Sequence, residues 1–284
     1  MKIYSKAEVV STELEKIKKD GNSIGFVPTM GFLHEGHLSL VREAVKANDT
    51  IIVSIFVNPA QFGPDEDYDT YPRDLESDAA KLEKLDVDYI FSPEVGEMYP
   101  EGYNTFVEVK GLTENLCGSS RPHFFRGVTT VVNKLFNIIK PDRAYFGQKD
   151  FQQLMVIKRM VKDLNIPVEI IGLPIIREED GLALSSRNKY LSSKEREQAL
   201  VLNQSLNIAE DMIINNGIIS TSEIKKAVIN RIESKELTEI DYVAAVNPQT
   251  LKDIKKIENE VLLALAVFVG DTRLIDNRLI NLSQ

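Results

Sequence analysis

The chain has 284 residues, a formal net charge of −9 at pH 7 and a hydrophobic content of 43%. A chain of this length usually divides its core between two domains, and no apolar run approaches the roughly 18 residues that a membrane span needs. Surfaces that bind nucleic acid or anionic membranes need a basic footprint, so the negative charge argues against both partners. The single cysteine, Cys117, permits no internal disulfide, which is typical of a cytoplasmic protein.

Apolar runs and helical periodicities alternate along the first 174 residues. Alternation of this kind is typical of parallel sheets covered by helices on both faces. We therefore predict an α/β fold, with a Rossmann-like doubly wound parallel sheet in a domain over residues 1–174. Its strands are predicted at 23–27, 50–57, 88–92, 143–147 and 168–172, and its helices at 37–47, 74–85, 127–139 and 151–164.

The pattern changes after Pro174, where helices are followed by consecutive strands. That order is typical of a small α+β unit. We predict a second, smaller α+β C-terminal domain over residues 175–284, which closes over the functional site. Its helices are predicted at 194–215 and 222–234, and its strands at 241–246, 261–269 and 272–279.

Two of the three histidines in the chain lie in the stretch Val27-Pro-Thr-Met-Gly-Phe-Leu-His-Glu-Gly-His37, where a predicted strand turns into a helix. The glycine spacing is that of a phosphate-binding loop, but His37 stands where that motif requires lysine. A turn running into a helix N-terminus exposes backbone N–H groups and the positive end of the dipole, which favours an anion. Two imidazoles at i and i+3 can both donate to one phosphate.

Two other interpretations of this histidine pair remain open. A zinc site is one, although metalloprotease helices place their histidines at i and i+4 and need a further ligand. The other is a purely structural role, in which His34 and His37 only cap the helix.

Further stretches supply polar groups to the same predicted edge of the sheet. Lys149 follows the strand at 143–147, where open α/β sheets bind ligands, although most lysines lie on the surface. Ser185-Ser-Arg187 offers two hydroxyls and a guanidinium to phosphate oxygens, although such clusters also mark plain loops. Gln61 and Gln153 could hydrogen-bond a small polar substrate, or could simply be solvated.

Four stretches together resemble the pantothenate synthetase family, whose members join pantoate to β-alanine using ATP. They are Val27 to His37, Val57-Asn-Pro-Ala-Gln-Phe62, Gly147-Gln-Lys-Asp-Phe-Gln-Gln153 and Leu182-Ala-Leu-Ser-Ser-Arg-Asn188. The first is similar to the HIGH signature of nucleotidylyl transferases and the last to KMSKS. Leu184 stands where many members have methionine, and it keeps an apolar side chain there.

The resemblance implies a two-step reaction. The pantoate carboxylate attacks Mg-ATP to form an enzyme-bound pantoyl adenylate, and the β-alanine amine then displaces AMP. It also implies catalytic roles for His37, His34 and Lys149, and a pantoate site at Gln61 and Gln153. The ATP site is implied at Met30, Gly31, Phe32, Leu33, His34, Glu35, Gly36, His37, Gly147, Gln148, Lys149, Asp150, Ile176, Leu184, Ser185, Ser186 and Arg187.

Two other functions compete with this one. A nucleotidylyltransferase acting on another small acceptor would keep the histidine turn but should carry extra basic residues, and the neutral glutamines argue against it. A non-catalytic nucleotide sensor has no distinguishing sequence feature. The family implies a homodimer. The ligands of Mg²⁺, and a gating role for the acidic segment 63–70, are left open by the sequence.

Replacing His37 with alanine tests the role of the histidine turn. Loss of a donor that stabilises a transition state usually costs about a hundredfold in rate, so adenylate formation should slow by about that factor while the fold is kept. Single-turnover measurement of pantoyl adenylate would show this, and a near-wild-type rate would contradict it.

Overall fold

A computed structural model describes residues 1–64 and 66–282, and within it the chain divides into two compact units. The last break between them falls at Pro174, where the sequence pattern changes. The first unit comprises Met1–Thr113, Arg121–Gln148 and Gln153–Pro174, and the second comprises Glu114–Ser120, Lys149–Gln152 and Ile175–Gln284.

The first unit is built on a parallel sheet of six strands, which confirms the predicted doubly wound α/β class. Neighbouring strands follow the order β1-β4-β3-β2-β5-β6, and every pairing is parallel. Parallel strands covered on both faces are expected to be continuously apolar, as Ile51, Ile52 and Val53 of β3 are. The strands are β1 (Lys2–Tyr4), β2 (Ile24–Thr29), β3 (Thr50–Ile55), β4 (Tyr89–Phe91), β5 (Arg143–Gly147) and β6 (Glu169–Leu173).

Helices connect these strands and cover the sheet. In α6 the residues at helical spacing, such as Val128, Val132 and Leu135, are buried, which stabilises the fold by roughly 1.5–3 kcal/mol for each large side chain. No helix in the described part of the chain is long and apolar enough to cross a membrane. The helices of both units are α1 (Ala7–Lys19), α2 (Glu35–Ala47), α3 (Leu75–Glu83), α4 (Val95–Met98), α5 (Cys117–Ser120), α6 (Phe124–Ile139), α7 (Phe151–Asp163), α8 (Ser193–Ala199), α9 (Val201–Ile214) and α10 (Thr221–Glu233). Of these, α5 and α8 to α10 belong to the second unit.

The strand order reverses at β2, and this reversal fixes where a ligand can bind. The chain builds outward from β2 through β3 to β4, then returns to add β5 on the other side of β2. The crevice at the carboxyl ends of the two strands beside such a switch point is the usual ligand site of an open α/β sheet. The histidine turn leaves the carboxyl end of β2, and residues 56–62 leave that of β3.

The second unit contains an antiparallel sheet of three strands in the order β7-β8-β9. Its core packs helices α8 to α10 against one face of this sheet, through side chains such as Leu202, Leu206 and Val228. This is the predicted α+β arrangement of helices followed by strands. The strands are β7 (Thr238–Val246), β8 (Glu260–Val269) and β9 (Thr272–Asn281).

The structure differs from the sequence prediction in several places, and the short helices α4 and α5 were not predicted. The single helix predicted at 194–215 is two helices, α8 and α9, which meet at Leu200. Leu200 keeps helical dihedral angles (φ −59°, ψ −20°). The sequence around this break contains no proline or glycine that would mark it. The N-terminal β1 and α1 were not predicted, because α1 buries only Val10 and Leu14 and so has little apolar periodicity.

Candidate active site

His34 and His37 form a reciprocal cap at the start of α2. Nδ1 of His34 accepts a hydrogen bond from the backbone N–H of Gly36 at 3.1 Å, and Nδ1 of His37 accepts one from the backbone N–H of His34 at 3.4 Å. Side-chain acceptors for these N–H groups stabilise a helix by about 1 kcal/mol. The structural role that the sequence left open is therefore present, at one nitrogen of each ring.

The cap also fixes what the second nitrogen of each ring can do. A neutral imidazole whose Nδ1 accepts a hydrogen bond carries its proton on Nε2, so each ring is a donor at that atom. The two rings are 4.1 Å apart between centroids and tilted by 30°. Paired donors on one face of the helix start suit an oxyanion. Zinc sites usually use three or more protein ligands, and the described residues contain no such group of His, Cys, Asp or Glu.

A buried carboxylate holds the loop that precedes the histidines. Asp78 of α3 is 1% exposed, and its two oxygens accept hydrogen bonds from the backbone N–H groups of Phe32 and Leu33, both at 2.7 Å. Lys81 donates to the carbonyl of Leu33 at 2.8 Å. Phe32 has a positive φ of 52°, which a side chain rarely adopts without support, so Asp78 stabilises a strained turn.

These hydrogen bonds correct one sequence-based expectation. The turn was expected to expose unpaired N–H groups to an anion, but those of Phe32 and Leu33 bind Asp78 and that of Gly36 binds His34. Gly31 also donates to the Thr29 hydroxyl, at 3.2 Å. The anion-binding capacity of the turn therefore lies chiefly in the imidazoles and the helix dipole.

The glutamine that follows β3 is fixed by a buried asparagine. Asn58, 1% exposed, donates to Oε1 of Gln61 and to the carbonyl of Gly127, both at 3.1 Å. Gln61 Nε2 in turn lies 3.1 Å from the sulfur of Met30, on the loop after β2. The structure thus brings together Gln61 and Met30. The family resemblance assigns Gln61 to the pantoate site and Met30 to the ATP site.

Asn58 is itself held from two sides. Its Oδ1 accepts from the backbone N–H of Ala60 at 3.2 Å and from the Tyr99 hydroxyl at 2.7 Å. Burial raises the pKa of Tyr99, so the phenol keeps its proton at neutral pH and remains a donor. Gly127 permits the close contact with this turn, because a Cβ there would lie 2.1 Å from the Ala60 carbonyl oxygen.

Lys149 and Asp150 lie on a short 3₁₀ turn (Gln148–Asp150) directly after β5. Lys149 is half-buried, and its ammonium forms no ion pair with any residue that the structure describes. A partly desolvated cation of this kind suits an anionic ligand better than an ordinary surface lysine. Asp150 is exposed, and Gly147 and Gln148 are half-buried.

The segment that resembles KMSKS begins as a small hairpin in the second unit. Arg177 and Ala183 form an antiparallel bridge, and the N–H of Leu184 donates to the carbonyl of Ile176 at 3.0 Å. This pairing places the apolar residues Ile176 and Leu184 next to each other, and Ile176 is 36% exposed. Ser185 then caps a 3₁₀ helix (Ser186–Tyr190) by accepting from the backbone N–H of Arg187 at 3.3 Å.

The other predicted ligand residues differ widely in exposure. Leu33 is buried in the core, whereas Glu35 is exposed and pairs with Arg42 at 2.8 Å. Gln153 lies half-buried on α7, without a side-chain hydrogen bond to another described residue. Ser186 and Arg187 are both half-buried.

The acidic segment that follows Gln61 is held by an arginine. Arg121 donates to Oε1 of Glu66 at 2.6 Å and to the carbonyl of Gln61 at 3.2 Å. Residue Asp65 of the segment lies outside the described residues. The acidic segment 63–70 is therefore not wholly solvated, because one of its carboxylates is tied to the turn that carries Gln61.

A sequence model of the family described as Pantoate-beta-alanine ligase matches residues 2–279. The chain belongs to the pantoate-beta-alanine ligase family. A pantothenate synthetase from Caldicellulosiruptor saccharolyticus is 58% identical over 98% of both chains, and one from Pseudothermotoga lettingae is 56% identical over 95% of both.

Solved structures agree with this assignment. The pantothenate synthetase of Thermus thermophilus is 46% identical, with a TM-score of 0.93 over 98% of this chain and 99% of that one. The enzyme of Francisella tularensis, solved with beta-gamma ATP and beta-alanine, is 39% identical, with a TM-score of 0.82 over 98% and 97%. The predicted pantoate-beta-alanine ligation is thereby confirmed, and a nucleotidylyltransferase acting on another small acceptor is not favoured.

Sequence reasoning missed the residues that hold the site together. Asp78, Asn58 and Tyr99 were not predicted as site residues, yet they fix the turns that carry the predicted ones. One signal was available, because Asp78 lies four residues before the buried Leu82, on the apolar face of α3. A carboxylate in that position needs a buried partner.

Asp78→Asn tests whether this carboxylate maintains the histidine turn in the ligase. The amide offers one acceptor oxygen instead of two, and its own N–H groups would face one of the two backbone N–H donors. The free energy of unfolding should therefore fall by about 2–4 kcal/mol. Urea denaturation would measure the change. Asp163→Asn, which breaks only the exposed pair with Arg159, is the matched control and should cost less than about 0.5 kcal/mol. Equal stabilities for the two variants would contradict the role assigned to Asp78.

Proposed function

We propose that this chain joins pantoate to β-alanine at the expense of ATP, through an enzyme-bound pantoyl adenylate. The observation that carries the proposal is the reciprocal cap that orients the rings of His34 and His37 at the sheet's switch point. The confirmed family membership supplies the substrates. In the first step a pantoate carboxylate oxygen bonds to the α-phosphorus, and the bond from that phosphorus to the bridging oxygen breaks to release pyrophosphate.

The two histidines and Lys149 are proposed as the catalytic residues of this step. Negative charge on the phosphate oxygens shifts toward the leaving pyrophosphate as the bond breaks. Donors and cations that are already oriented stabilise that charge without reorganising. The reciprocal cap provides this orientation for His34 and His37. Arg187 is proposed to add a second cation, from the segment that resembles KMSKS.

ATP is proposed to bind the residues that the family resemblance implies. In the first unit these are Met30 to His37, Gly147 and Gln148. In the second unit the adjacent apolar side chains of Ile176 and Leu184 suit the adenine ring, and Ser185 and Ser186 offer hydroxyl donors. Lys149, Asp150 and Arg187 complete the proposed set.

Pantoate is proposed to bind through Gln61 and Gln153. The hydrogen bonds from Asn58 and to Met30 fix the amide of Gln61, and a primary amide has a second N–H to donate. Neutral donors recognise hydroxyl and carboxylate oxygens without neutralising the carboxylate, which must remain nucleophilic. Pantoate can therefore be held and still attack.

Mg²⁺ is proposed to arrive as part of the substrate, Mg-ATP. Magnesium usually keeps several waters and binds through one or two carboxylates together with substrate phosphates. The described residues fit this mode, because they contain no dedicated metal cluster but include the exposed carboxylate of Asp150 in the proposed set. The ion would offset charge on the leaving pyrophosphate.

In the second step the β-alanine amine attacks the activated carbonyl. A C–N bond forms, the C–O bond to the phosphate breaks, AMP leaves and the amine loses a proton. The Francisella tularensis enzyme binds beta-alanine, and we propose that this chain does so too. The homodimer and the cytoplasmic location stay predictions.

The reaction is tested by mixing the protein with Mg-ATP, pantoate and β-alanine. AMP and pantothenate should form in equal amounts, and exchange of pyrophosphate into ATP should require pantoate but not β-alanine. Chromatography and labelled pyrophosphate would measure both. Exchange without pantoate would contradict the proposed adenylate. A zinc chelator should leave the rate unchanged, whereas removing Mg²⁺ should abolish it.

Lys149→Ala and Gln153→Ala should separate the two halves of the first step. Lys149→Ala removes a cation aimed at the α-phosphate, so it should chiefly depress kcat. Gln153→Ala removes a neutral hydrogen bond to pantoate, so it should raise the pantoate KM about five- to tenfold, matching about 1 kcal/mol, with ATP binding little altered. Steady-state kinetics with each substrate varied would measure both effects.

Gln152→Ala, which changes the residue next to Gln153, is a control that shows the effect of lost stability. Gln152 is buried and its amide binds Asn115 and Cys117, so its loss should lower the melting temperature. If Gln153→Ala instead weakens ATP and spares pantoate, Gln153 belongs to the nucleotide.

A further inference from the structure

The C-terminal strand β9 contacts one of the proposed catalytic segments directly. Nδ2 of Asn277 donates a hydrogen bond to the backbone carbonyl of Lys149 at 2.8 Å, across 128 positions of sequence. Asn277 is 7% exposed, so this bond lies away from competing water. Both residues belong to the second unit.

The preceding residue of β9 anchors a second proposed ATP-binding segment. Asp276 pairs with Arg177 through two hydrogen bonds, at 2.6 and 2.9 Å, and the carboxylate side chain is 2% exposed. Arg177 also donates to the carbonyl of Gly181 at 3.2 Å, which ties down the hairpin that ends at Leu184. Successive side chains on a strand point to opposite faces, so Asp276 and Asn277 serve the two faces of β9.

The strand that carries this pair is rigidly held. Asp276 and Asn277 lie opposite Leu265 and Ala264 in an unbroken antiparallel ladder with β8. Leu274 and Ile280, on the same face as Asp276, are buried in the core of the second unit. A group bonded to β9 is therefore held by the whole core of that unit.

Lys149 needs such an anchor because its side chain has none. The ammonium forms no ion pair with a described residue, and the four-carbon stem is flexible, so its reach is set by where the main chain places its Cα. A displacement of about 1 Å in a catalytic group can cost up to a hundredfold in rate. We infer that Asn277 is a positioning residue that sets Lys149 for adenylate formation through its backbone carbonyl.

This inference rests on the proposed role of Lys149 in the proposed function, and Asn277→Ala tests it. The kcat of pantoate-dependent ATP–pyrophosphate exchange should fall about tenfold, since misplacing Lys149 costs more than one neutral hydrogen bond. The ATP dissociation constant, measured by calorimetry, should change less than about twofold, because Lys149 acts mainly in the transition state. An unchanged kcat would overturn the inference.

A double-mutant cycle separates positioning from a general structural effect. If Asn277 acts through Lys149, Asn277→Ala should cause no further loss of kcat in a Lys149→Ala background. A loss that is multiplied in the double variant would overturn the inference. Asn137→Ala is the matched control, since Asn137 is exposed on α6 and also donates to a backbone carbonyl at 2.8 Å, so the exchange rate of this variant should equal that of the wild type.

A second variant and a wild-type control complete the test. If Asn277→Ala loses a cooperative melting transition, Asn277→Asp carries the test, because it keeps the shape of the side chain but lacks the amide donor. It should show the same fall in kcat, and wild-type exchange by a folded Asn277→Asp would overturn the inference. Absence of exchange in the wild-type chain would instead refute the proposed function itself.

Discussion

The pairing of β2 with β5 is the constraint on which the catalytic arrangement of the first unit depends. Gly25 and Phe26 lie beside Arg143 and Ala144 in the centre of the sheet, with β3 on the other side of β2. Because all these strands are parallel, the loops after β2, β3 and β5 leave from one edge. Met30, Gln61 and Gly147 are far apart in sequence and come to that edge only through this strand order. A one-residue slip between β2 and β5 would exchange the two faces of one strand, so the buried positions on both faces also keep the register.

The proposed site binds a polyanion on a chain of net negative charge, and its hydrogen bonds give a local reason why this is possible. The carboxylate of Asp78 faces backbone N–H groups in the interior, where it stabilises the turn instead of repelling a phosphate. The imidazoles use one nitrogen each for the cap, which orients both rings. Gln61 is oriented by Asn58 and adds no charge. Oriented neutral donors can stabilise charge in a transition state without needing a strong field over the whole surface.

Much of the fold could be predicted from the sequence, because β3 and α6 carry strong apolar patterns of the right period. The helix α1 could not, since it buries only two apolar residues, and the break at Leu200 has no sequence marker. Within the site, the histidine turn and Gln61 were recognisable as polar groups at the ends of strands, although their assignment to ATP and pantoate came from the family resemblance. The residues that hold these segments were not recognisable, because Asp78, Tyr99 and Asn277 bond to Leu33, Asn58 and Lys149 across 45, 41 and 128 positions of sequence. Contacts of that range depend on tertiary packing, which a local pattern does not encode.

The proposed catalytic residues differ in how they are oriented, and this difference has a consequence for substitutions. In the first unit the side chains themselves are tied, as in the reciprocal cap of His34 and His37. In the second unit Lys149 is tied only through its main chain, to Asn277. A substitution that disturbs a tied side chain removes its interaction outright, whereas one that disturbs β9 leaves the ammonium present but displaced. If these residues act as proposed, changes in the core of the second unit should alter the catalytic rate gradually, whereas changes around the histidine turn should remove a donor outright.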